Sequence, residues 1–193
     1  MDTAHHKHHH GKIAYLDNPQ RNGGLTADNL LDLMPVGKSD SVLDFGAGTG
    51  FFTLPLARRT EKTVYALDID PGMLELITAK AQTEQIDNIT LLSGKLEEAK
   101  LDDGSLDVVF ASLVLHEITP LAPVLETMNK LLKPGGHLIG IELEPKGAKN
   151  PKAPRLTLSD LEHALGAASF IVTDTSFPAE SLYVLIARKD RDI

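Results

Sequence analysis

The chain has 193 residues, and 42% of them are hydrophobic, which is enough material for one domain with a full core. It contains no cysteine, so disulfides, thiolate metal sites and cysteine nucleophiles are excluded. No stretch approaches the roughly 18 consecutive apolar residues of a membrane span, so we expect a cytoplasmic protein. A formal charge of −8 opposes nucleic-acid binding, so we expect a small-molecule partner.

The N-terminal region has no apolar periodicity and contains five histidines, so residues 1–22 are predicted to form an arm outside the domain. Clustered imidazoles suit zinc, copper or nickel, but an arm without supporting groups makes a poor catalytic site. The sequence leaves open whether this arm binds a metal or is a tag, and we assign no metal site. Residues 23–193 are predicted to form a single domain.

The domain alternates helical patterns with short apolar runs. A helix at 26–34 with Thr26 as its N-cap precedes the other predicted helices, at 51–59, 71–84, 120–132 and 158–167. Predicted strands lie at 41–45, 63–67, 89–92, 106–111, 137–143, 169–175 and 182–188, with a Pro-Gly-Gly turn at 134–136. This alternation predicts a parallel sheet, and the short loop containing Pro178 predicts an antiparallel last pair. The expected fold class is α/β: a doubly wound, Rossmann-like, seven-stranded, mostly parallel sheet with an antiparallel C-terminal strand and helices on both faces.

A glycine-rich turn carries the strongest chemical signal. The segment Asp44-Phe45-Gly46-Ala47-Gly48-Thr49-Gly50 follows a strand and precedes a helix, so it can approach a ligand closely and offer it unpaired backbone N–H groups. A dinucleotide fingerprint would need a third glycine where Phe51 stands, which disfavours a nicotinamide cofactor. Asp68 ends the second strand, where a carboxylate can accept hydrogen bonds from both ribose hydroxyls. An adenosine-containing ligand is therefore expected.

Four motifs, taken in order, resemble the class I S-adenosylmethionine-dependent methyltransferases, and more closely the type 11 group that includes the ubiquinone and menaquinone biosynthesis enzymes. The motifs are VLDFGAGTGFF, ALDIDPGML, LLSGKLEEAKLDDGSLDVVF and LLKPGGHLIGIE. The resemblance implies that Asp44 and the glycine turn face the methionine part of the cofactor, and that Asp68 binds the ribose. It implies these cofactor-binding residues: Asp44, Gly46, Ala47, Gly48, Gly50, Asp68, Ile69, Gly94, Lys95, Leu96 and Ser112.

At the third motif the resemblance implies that the backbone N–H of Leu96 meets the adenine. The family usually has an aspartate after the glycine of this motif, whereas here Lys95 follows Gly94. Either Glu97 or Glu98 takes over as acceptor for the adenine amino group, or that group faces water. A lost hydrogen bond of this kind costs roughly 0.5–1.5 kcal/mol, so weaker cofactor binding is expected.

Residues 12–21 are similar to the segment that folds over the cofactor in this family. Tyr15 and Arg21 are therefore candidates for a lid, and a plain surface arm is the alternative.

Candidate catalytic residues follow the fourth and fifth strands, because ligands of open parallel sheets bind at the carboxyl ends of the strands. His116 and Glu117 are the predicted catalytic residues, since a base near the methyl group can take the proton that the acceptor loses. A packing role is the alternative for His116. Glu142 and Glu144 share a face of the fifth strand, where they either line the acceptor cavity or are solvated charges.

The sequence thus predicts transfer of a methyl group from S-adenosylmethionine to a small-molecule acceptor by in-line displacement. Arsenic-type methylation is excluded because it needs cysteine ligands, and the Asn-Pro-Pro-Tyr-like segment of the amino-group methylases is absent. Two alternatives stay open: a regulatory protein that binds the cofactor without transfer, favoured by Lys95, and a nicotinamide-dependent oxidoreductase, disfavoured by Phe51. The sequence does not specify the acceptor, and the expected assembly is a monomer or a homodimer.

Overall fold

The computed structural model describes residues 13–18, 20, 23–145 and 155–190. Of the predicted arm, residues 1–12, which hold its five histidines, and Arg21 lie outside these ranges. No helix within the described ranges combines the length and the apolar character needed to cross a membrane.

A seven-stranded sheet forms the centre of the fold. Its strands are β1 (Val42–Phe45), β2 (Val64–Asp68), β3 (Ile89–Ser93), β4 (Leu106–Ser112), β5 (Leu132–Leu143), β6 (Phe170–Ala179) and β7 (Leu182–Lys189). They lie in the order β3-β2-β1-β4-β5-β7-β6, with β1 to β5 parallel and β7 antiparallel to both of its neighbours. The strand order reverses between β1 and β4, and the carboxyl ends of strands at such a point form the usual ligand crevice. The predicted fold class is confirmed.

Helices cover both faces of the sheet. They include α1 (Ala27–Leu31), α2 (Thr53–Arg59), α3 (Pro71–Glu84), α4 (Ala122–Leu131) and α5 (Leu158–Ala167). Alternate residues of each strand point to opposite faces, so β4 places Val109 in the core cluster with α4 and α5 and Phe110 in the cluster with α1 and α2. The central strands of the sheet are therefore buried on both sides, as is usual in parallel sheets.

Side chains cap the starts of α1 and α3, and one of them is the predicted cap Thr26. The hydroxyl of Thr26 accepts a hydrogen bond from the backbone N–H of Asn29 at 3.2 Å, and the side chain of Asp70 caps α3. The helix predicted at 26–34 is shorter than expected. Its α-helical part ends at Leu31, because the N–H groups of Leu33 and Met34 bond three residues back, which tightens the last turn.

Two segments predicted as a turn and a loop belong to strands instead. Residues 133–136 bulge out of β5 opposite Asp107, where the register between β4 and β5 shifts. The ammonium of Lys133 lies 2.7 Å from the Asp107 carboxylate and holds the bulge to β4. Pro178 lies near the end of β6, where the pairing with β7 is irregular before Ala179. An edge strand tolerates a proline at such a position because no ladder hydrogen bond is lost.

Leu125 of α4 is wholly buried in the core, so Leu125→Ala is expected to lower the free energy of unfolding by about 2–5 kcal/mol. The matched control is Leu33→Ala, since that leucine is 50% exposed and its truncation should change stability by no more than about 0.5 kcal/mol. Chemical denaturation of both variants measures the difference. Equal losses would show that α4 does not pack on the sheet as described.

Candidate active site

A cavity of about 910 Å³ opens at the carboxyl ends of β1 to β4. This volume lies near the top of the roughly 300–1,000 Å³ range of small-molecule and cofactor sites. Within the described ranges, no three histidine, aspartate or glutamate side chains come together as a metal site. All the predicted cofactor residues except Gly50 lie on the cavity wall: Asp44, Gly46, Ala47, Gly48, Asp68, Ile69, Gly94, Lys95, Leu96 and Ser112.

The glycine turn after β1 is folded tightly beneath the cavity. The backbone N–H groups of Gly46 and Ala47 both donate to the carbonyl oxygen of Leu67, at 2.9 and 3.0 Å. A Cβ on Gly46 would lie 2.6 Å from a methyl group of Val114, so only glycine fits there. Gly50, also in the left-handed region, packs on α2 and α3 and shapes the turn without lining the cavity.

Asp68 ties the end of β2 to this turn. One carboxylate oxygen accepts a hydrogen bond from the N–H of Gly48 at 2.7 Å, and the other accepts from the N–H of Asp70 at 2.8 Å. Each oxygen of a carboxylate has two acceptor positions, so both retain one for a ligand hydroxyl. The carboxylate is thus held in a fixed orientation on the cavity wall.

Asp44 places a buried carboxyl group on the wall of the same cavity. Burial raises its pKa to about 7. The hydroxyl of Thr53 has the opposite effect, because the hydrogen bond that it donates at 2.6 Å lowers the pKa. The nearby negative charge of Asp68 adds to the rise. A positively charged ligand group in the cavity would favour the ionised form of Asp44.

The loop after β3 closes another side of the cavity. Gly94, Lys95, Leu96 and Glu97 all line it, and Leu96 begins a short 3₁₀ turn. The carboxylate of Glu98 accepts a hydrogen bond from the N–H of Lys95 at 3.2 Å and does not line the cavity. Of the two glutamates considered as substitutes for the missing aspartate, Glu97 is therefore the one on the wall.

The described part of the N-terminal segment, residues 13–18, lies against the glycine turn. Leu16 lines the cavity, and the carboxylate of Asp17 accepts a hydrogen bond from the hydroxyl of Thr49. The ammonium of Lys80 on α3 lies 3.1 Å from Asp17 and also donates to the carbonyl oxygen of Thr49 at 2.9 Å. These contacts fasten the segment beside the cavity, and its role as a lid stays a prediction.

The predicted catalytic pair lies in a 3₁₀ turn just after β4. Glu117 lines the cavity and its side chain is 69% exposed, whereas the ring of His116 is mostly buried and is not part of the wall. Neither Glu142 nor Glu144 lines the cavity. Glu142 is buried beside His116, and Glu144 accepts a hydrogen bond from the N–H of Leu158 at 3.0 Å. Catalytic roles for His116 and Glu117 stay predictions.

Most of the cavity wall beyond the glycine turn was not predicted from the sequence. Leu113, in the left-handed region and buried, ends β4 sharply and is followed by Val114, which packs under Gly46. The sequence did contain a signal for these residues: an apolar segment follows β4, one of the two strands between which the strand order reverses. The wall residues that were not predicted are Leu16, Phe51, Phe52, Leu67, Asp70, Pro71, Met73, Leu113, Val114, Ile118, Thr119, Pro120, Pro123 and Val124.

Comparisons with known proteins bear on the family of this chain. A family model described as a methyltransferase domain matches residues 43–140. A demethylmenaquinone methyltransferase from Staphylococcus aureus strain JH9 is 32% identical over 111 residues, which are 56% of this chain and 45% of the relative. The aligned region therefore spans less than half the length of that relative.

Solved structures share the fold. An S-adenosylmethionine-dependent methyltransferase from Aquifex aeolicus superposes with a TM-score of 0.83 at 22% identity, covering 92% of this chain and 97% of the other. The [4+2]-cyclase SpnF superposes with a TM-score of 0.73 at 18% identity, covering 85% and 79%. Similarity at this level establishes the architecture, and the cyclase shows that one architecture serves more than one reaction.

The pKa of Asp44 gives the ligand-free protein a pH-dependent stability. The folded-state pKa of about 7 lies above the ordinary value of 3.8, so the folded protein binds more protons than the unfolded chain between these values. The free energy of unfolding should therefore fall by a few kcal/mol as the pH rises from about 4 to about 7.

Asp44→Asn is expected to remove most of this decline, because the amide oxygen still accepts from Thr53 but carries no charge. Thr53→Val should extend the decline to higher pH, because the donated bond that stabilises the carboxylate is lost. Denaturant unfolding of the three proteins over this pH range measures the slopes. Parallel curves for the parent protein and Asp44→Asn would contradict the assignment.

Lys80→Met is expected to loosen residues 13–18. The lost contacts to Asp17 and Thr49 are partly exposed, so amide hydrogen exchange in the segment should rise two- to fivefold, which corresponds to about 0.5–1 kcal/mol. Hydrogen exchange followed by mass spectrometry resolves this segment. Lys130→Met on α4 serves as the control because that lysine takes no part in the ion pair and hydrogen bonds that join Lys80 to Asp17 and Thr49. Unchanged exchange in Lys80→Met would mean that other contacts hold the segment.

Proposed function

This chain belongs to the methyltransferase-domain family, and we propose that it binds S-adenosylmethionine and transfers the methyl group to a small, largely apolar acceptor. One observation carries the proposal. Residues of separate motifs, which follow β1, β2, β3 and β4 in the chain, line a single cavity at the point where the strand order reverses.

The residues present fit the cofactor. Asp68 keeps acceptor positions for two ribose hydroxyls, and the glycine turn leaves room for close approach of the methionine part. Leu96 and Glu97 are available to the adenine, and Asp44 offers a buried carboxylate to the positive charges of the cofactor. When bound, S-adenosylmethionine supplies an electrophilic methyl group on a sulfonium.

The apolar part of the wall suits the acceptor. Val114, Ile118, Pro120 and Val124 exclude water and restrict the orientation of a small apolar molecule. Glu117 places a carboxylate among them, within reach of a proton that the acceptor loses. The names of the curated relatives, demethylmenaquinone methyltransferases, support an acceptor of this kind.

Calorimetric titration with S-adenosylmethionine, S-adenosylhomocysteine and NAD tests the cofactor. Both sulfur nucleosides should bind and NAD should not. Asp68→Asn should weaken nucleoside binding roughly tenfold or more, because one of its two hydroxyl-binding oxygens becomes a donor. Failure of both nucleosides to bind would refute the proposal.

Asp107→Asn is the matched control for Asp68→Asn. Asp107 also accepts a backbone hydrogen bond, from Ser41 at 2.9 Å, but it lies at the opposite end of the sheet and does not line the cavity. Its substitution should leave nucleoside affinity unchanged. An equal loss in both variants would trace the effect to general destabilisation.

Release of S-adenosylhomocysteine tests the transfer step. The acceptor panel contains reduced demethylmenaquinone, simple phenols, amines and carboxylates, and release is expected with the apolar hydroxylated members. Glu117→Gln should lower the rate of that release roughly a hundredfold if the carboxylate acts as the base. Cofactor binding without release across the panel would instead favour the regulatory alternative.

A further inference from the structure

A buried carboxylate lies behind the cavity wall and has no place in the site described so far. Glu142 belongs to β5 and is fully buried in the sheet. Burying a carboxylate costs free energy unless its oxygens accept hydrogen bonds, so the groups that donate to Glu142 indicate its role.

Within the described ranges, three hydrogen bonds hold the side chain of Glu142, and all of them come from the turn after β4. One oxygen accepts from the backbone N–H of Leu115 at 2.8 Å and from that of His116 at 3.3 Å. The other oxygen lies 2.7 Å from Nδ1 of the His116 ring. Within the described ranges, His116 is the only side chain that hydrogen-bonds this carboxylate.

The other polar side chain beside Glu142 has a different partner. Tyr183 lies opposite Glu142 on β7, and its hydroxyl donates to the carbonyl oxygen of Leu156 at 2.9 Å. Burial, together with nearby carboxylates that include Glu142, raises the pKa of Tyr183. The tyrosine therefore stays neutral and leaves the carboxylate to the imidazole.

This geometry determines which ring nitrogen carries the proton. An ionised carboxylate only accepts hydrogen bonds, so Nδ1 of His116 must donate, and Nε2 is left with a free lone pair in the neutral ring. Nε2 lies 3.9 Å from the carboxylate of Glu117. A rotation of the Glu117 side chain or a bridging water would complete a hydrogen bond between them. His116 thus stands between a buried carboxylate and one on the cavity wall.

We propose that Glu142 is a positioning residue that holds His116 as the Nδ1–H tautomer, so that Nε2 takes from Glu117 the proton released by the methyl acceptor. The proton leaves the acceptor for the Glu117 carboxylate and passes to Nε2, and the resulting imidazolium is paired with Glu142. Only protons move in these steps. This inference rests on the proposed function for its purpose, but the tautomer is a property of the protein alone.

Glu142→Gln separates positioning from a structural role. The amide oxygen can keep both backbone hydrogen bonds, while the amide nitrogen can only donate to Nδ1 and so reverses the tautomer of the ring. An isosteric change that imposes the wrong tautomer leaves geometry intact but removes much of catalysis in histidine-dependent enzymes. Glu144→Gln is the matched control, because Glu144 lies two residues further on and bonds to Leu158 instead.

Long-range ¹H–¹⁵N NMR spectra of the histidine-labelled protein near pH 8 report the tautomer directly. His116→Asn identifies the His116 signals among those of the eight histidines. The parent protein and Glu144→Gln should show the Nδ1–H ring, and Glu142→Gln the Nε2–H ring. An Nε2–H or doubly protonated ring in the parent protein overturns the inference, whether or not the variant folds.

Kinetics with S-adenosylmethionine and the most active panel acceptor test the proton path. Glu142→Gln and His116→Asn should each lower kcat on the order of a hundredfold with little change in KM, and the double variant should be no worse than either single one. Additive losses would assign Glu142 a separate structural role and overturn the path. If no acceptor is turned over, the proposed function fails, while the NMR result still decides the positioning.

Discussion

The site depends on the attachment of the glycine turn to the end of β2. Two backbone N–H groups of the turn share the carbonyl oxygen of Leu67, and a third is bonded by the carboxylate of Asp68. The cavity floor needs both segments, because the glycine turn leaves space for a ligand and the end of β2 holds the turn in place. The packing of Val114 under Gly46 then brings the loop after β4 to the same place. Parallel pairing of β1 with β2 and β4 makes these three ends meet.

The carboxyl groups on the cavity wall differ in burial and in hydrogen-bond partners, so they suit different roles. Asp44 is buried and close to another negative charge, so it is costly to ionise without a ligand. Asp68 is only partly buried and satisfied by backbone N–H groups, and Glu117 is largely exposed. A positively charged ligand would favour the ionised form of Asp44 and lower its pKa.

Periodicity and turn chemistry were sufficient to predict the architecture. Asp70 and Pro71 set the start of α3 where expected, and Asp44 and Asp68 reached the cavity because strand ends of a parallel sheet meet. The bulge opposite Asp107 was not predictable in the same way, since it depends on a lysine that meets a carboxylate of another strand.

The placement of Glu142 shows the same limit more sharply. Alternation along β5 indicated that Glu142 and Glu144 share a face, but not that the turn after β4 covers one of them. Sequence spacing orders the residues of one strand, whereas burial depends on which other segment packs over it. The same holds for Lys95, which stands where the family usually has an aspartate. The spacing did not indicate which of the two following glutamates lines the cavity, and the fold places Glu97 there.

The position of β7 has a consequence for the assembly of the chain. β7 lies between β5 and β6, although it follows β6 in the sequence. Until residues 182–189 are made, the apolar edge of β5, which includes Leu138, Ile139 and Ile141, has no partner on that side. A growing chain therefore carries an open strand edge of the kind that invites aggregation, and β7 both completes the sheet and removes this hazard. Synthesis has to pass residue 189 before the buried environment of Glu142 exists.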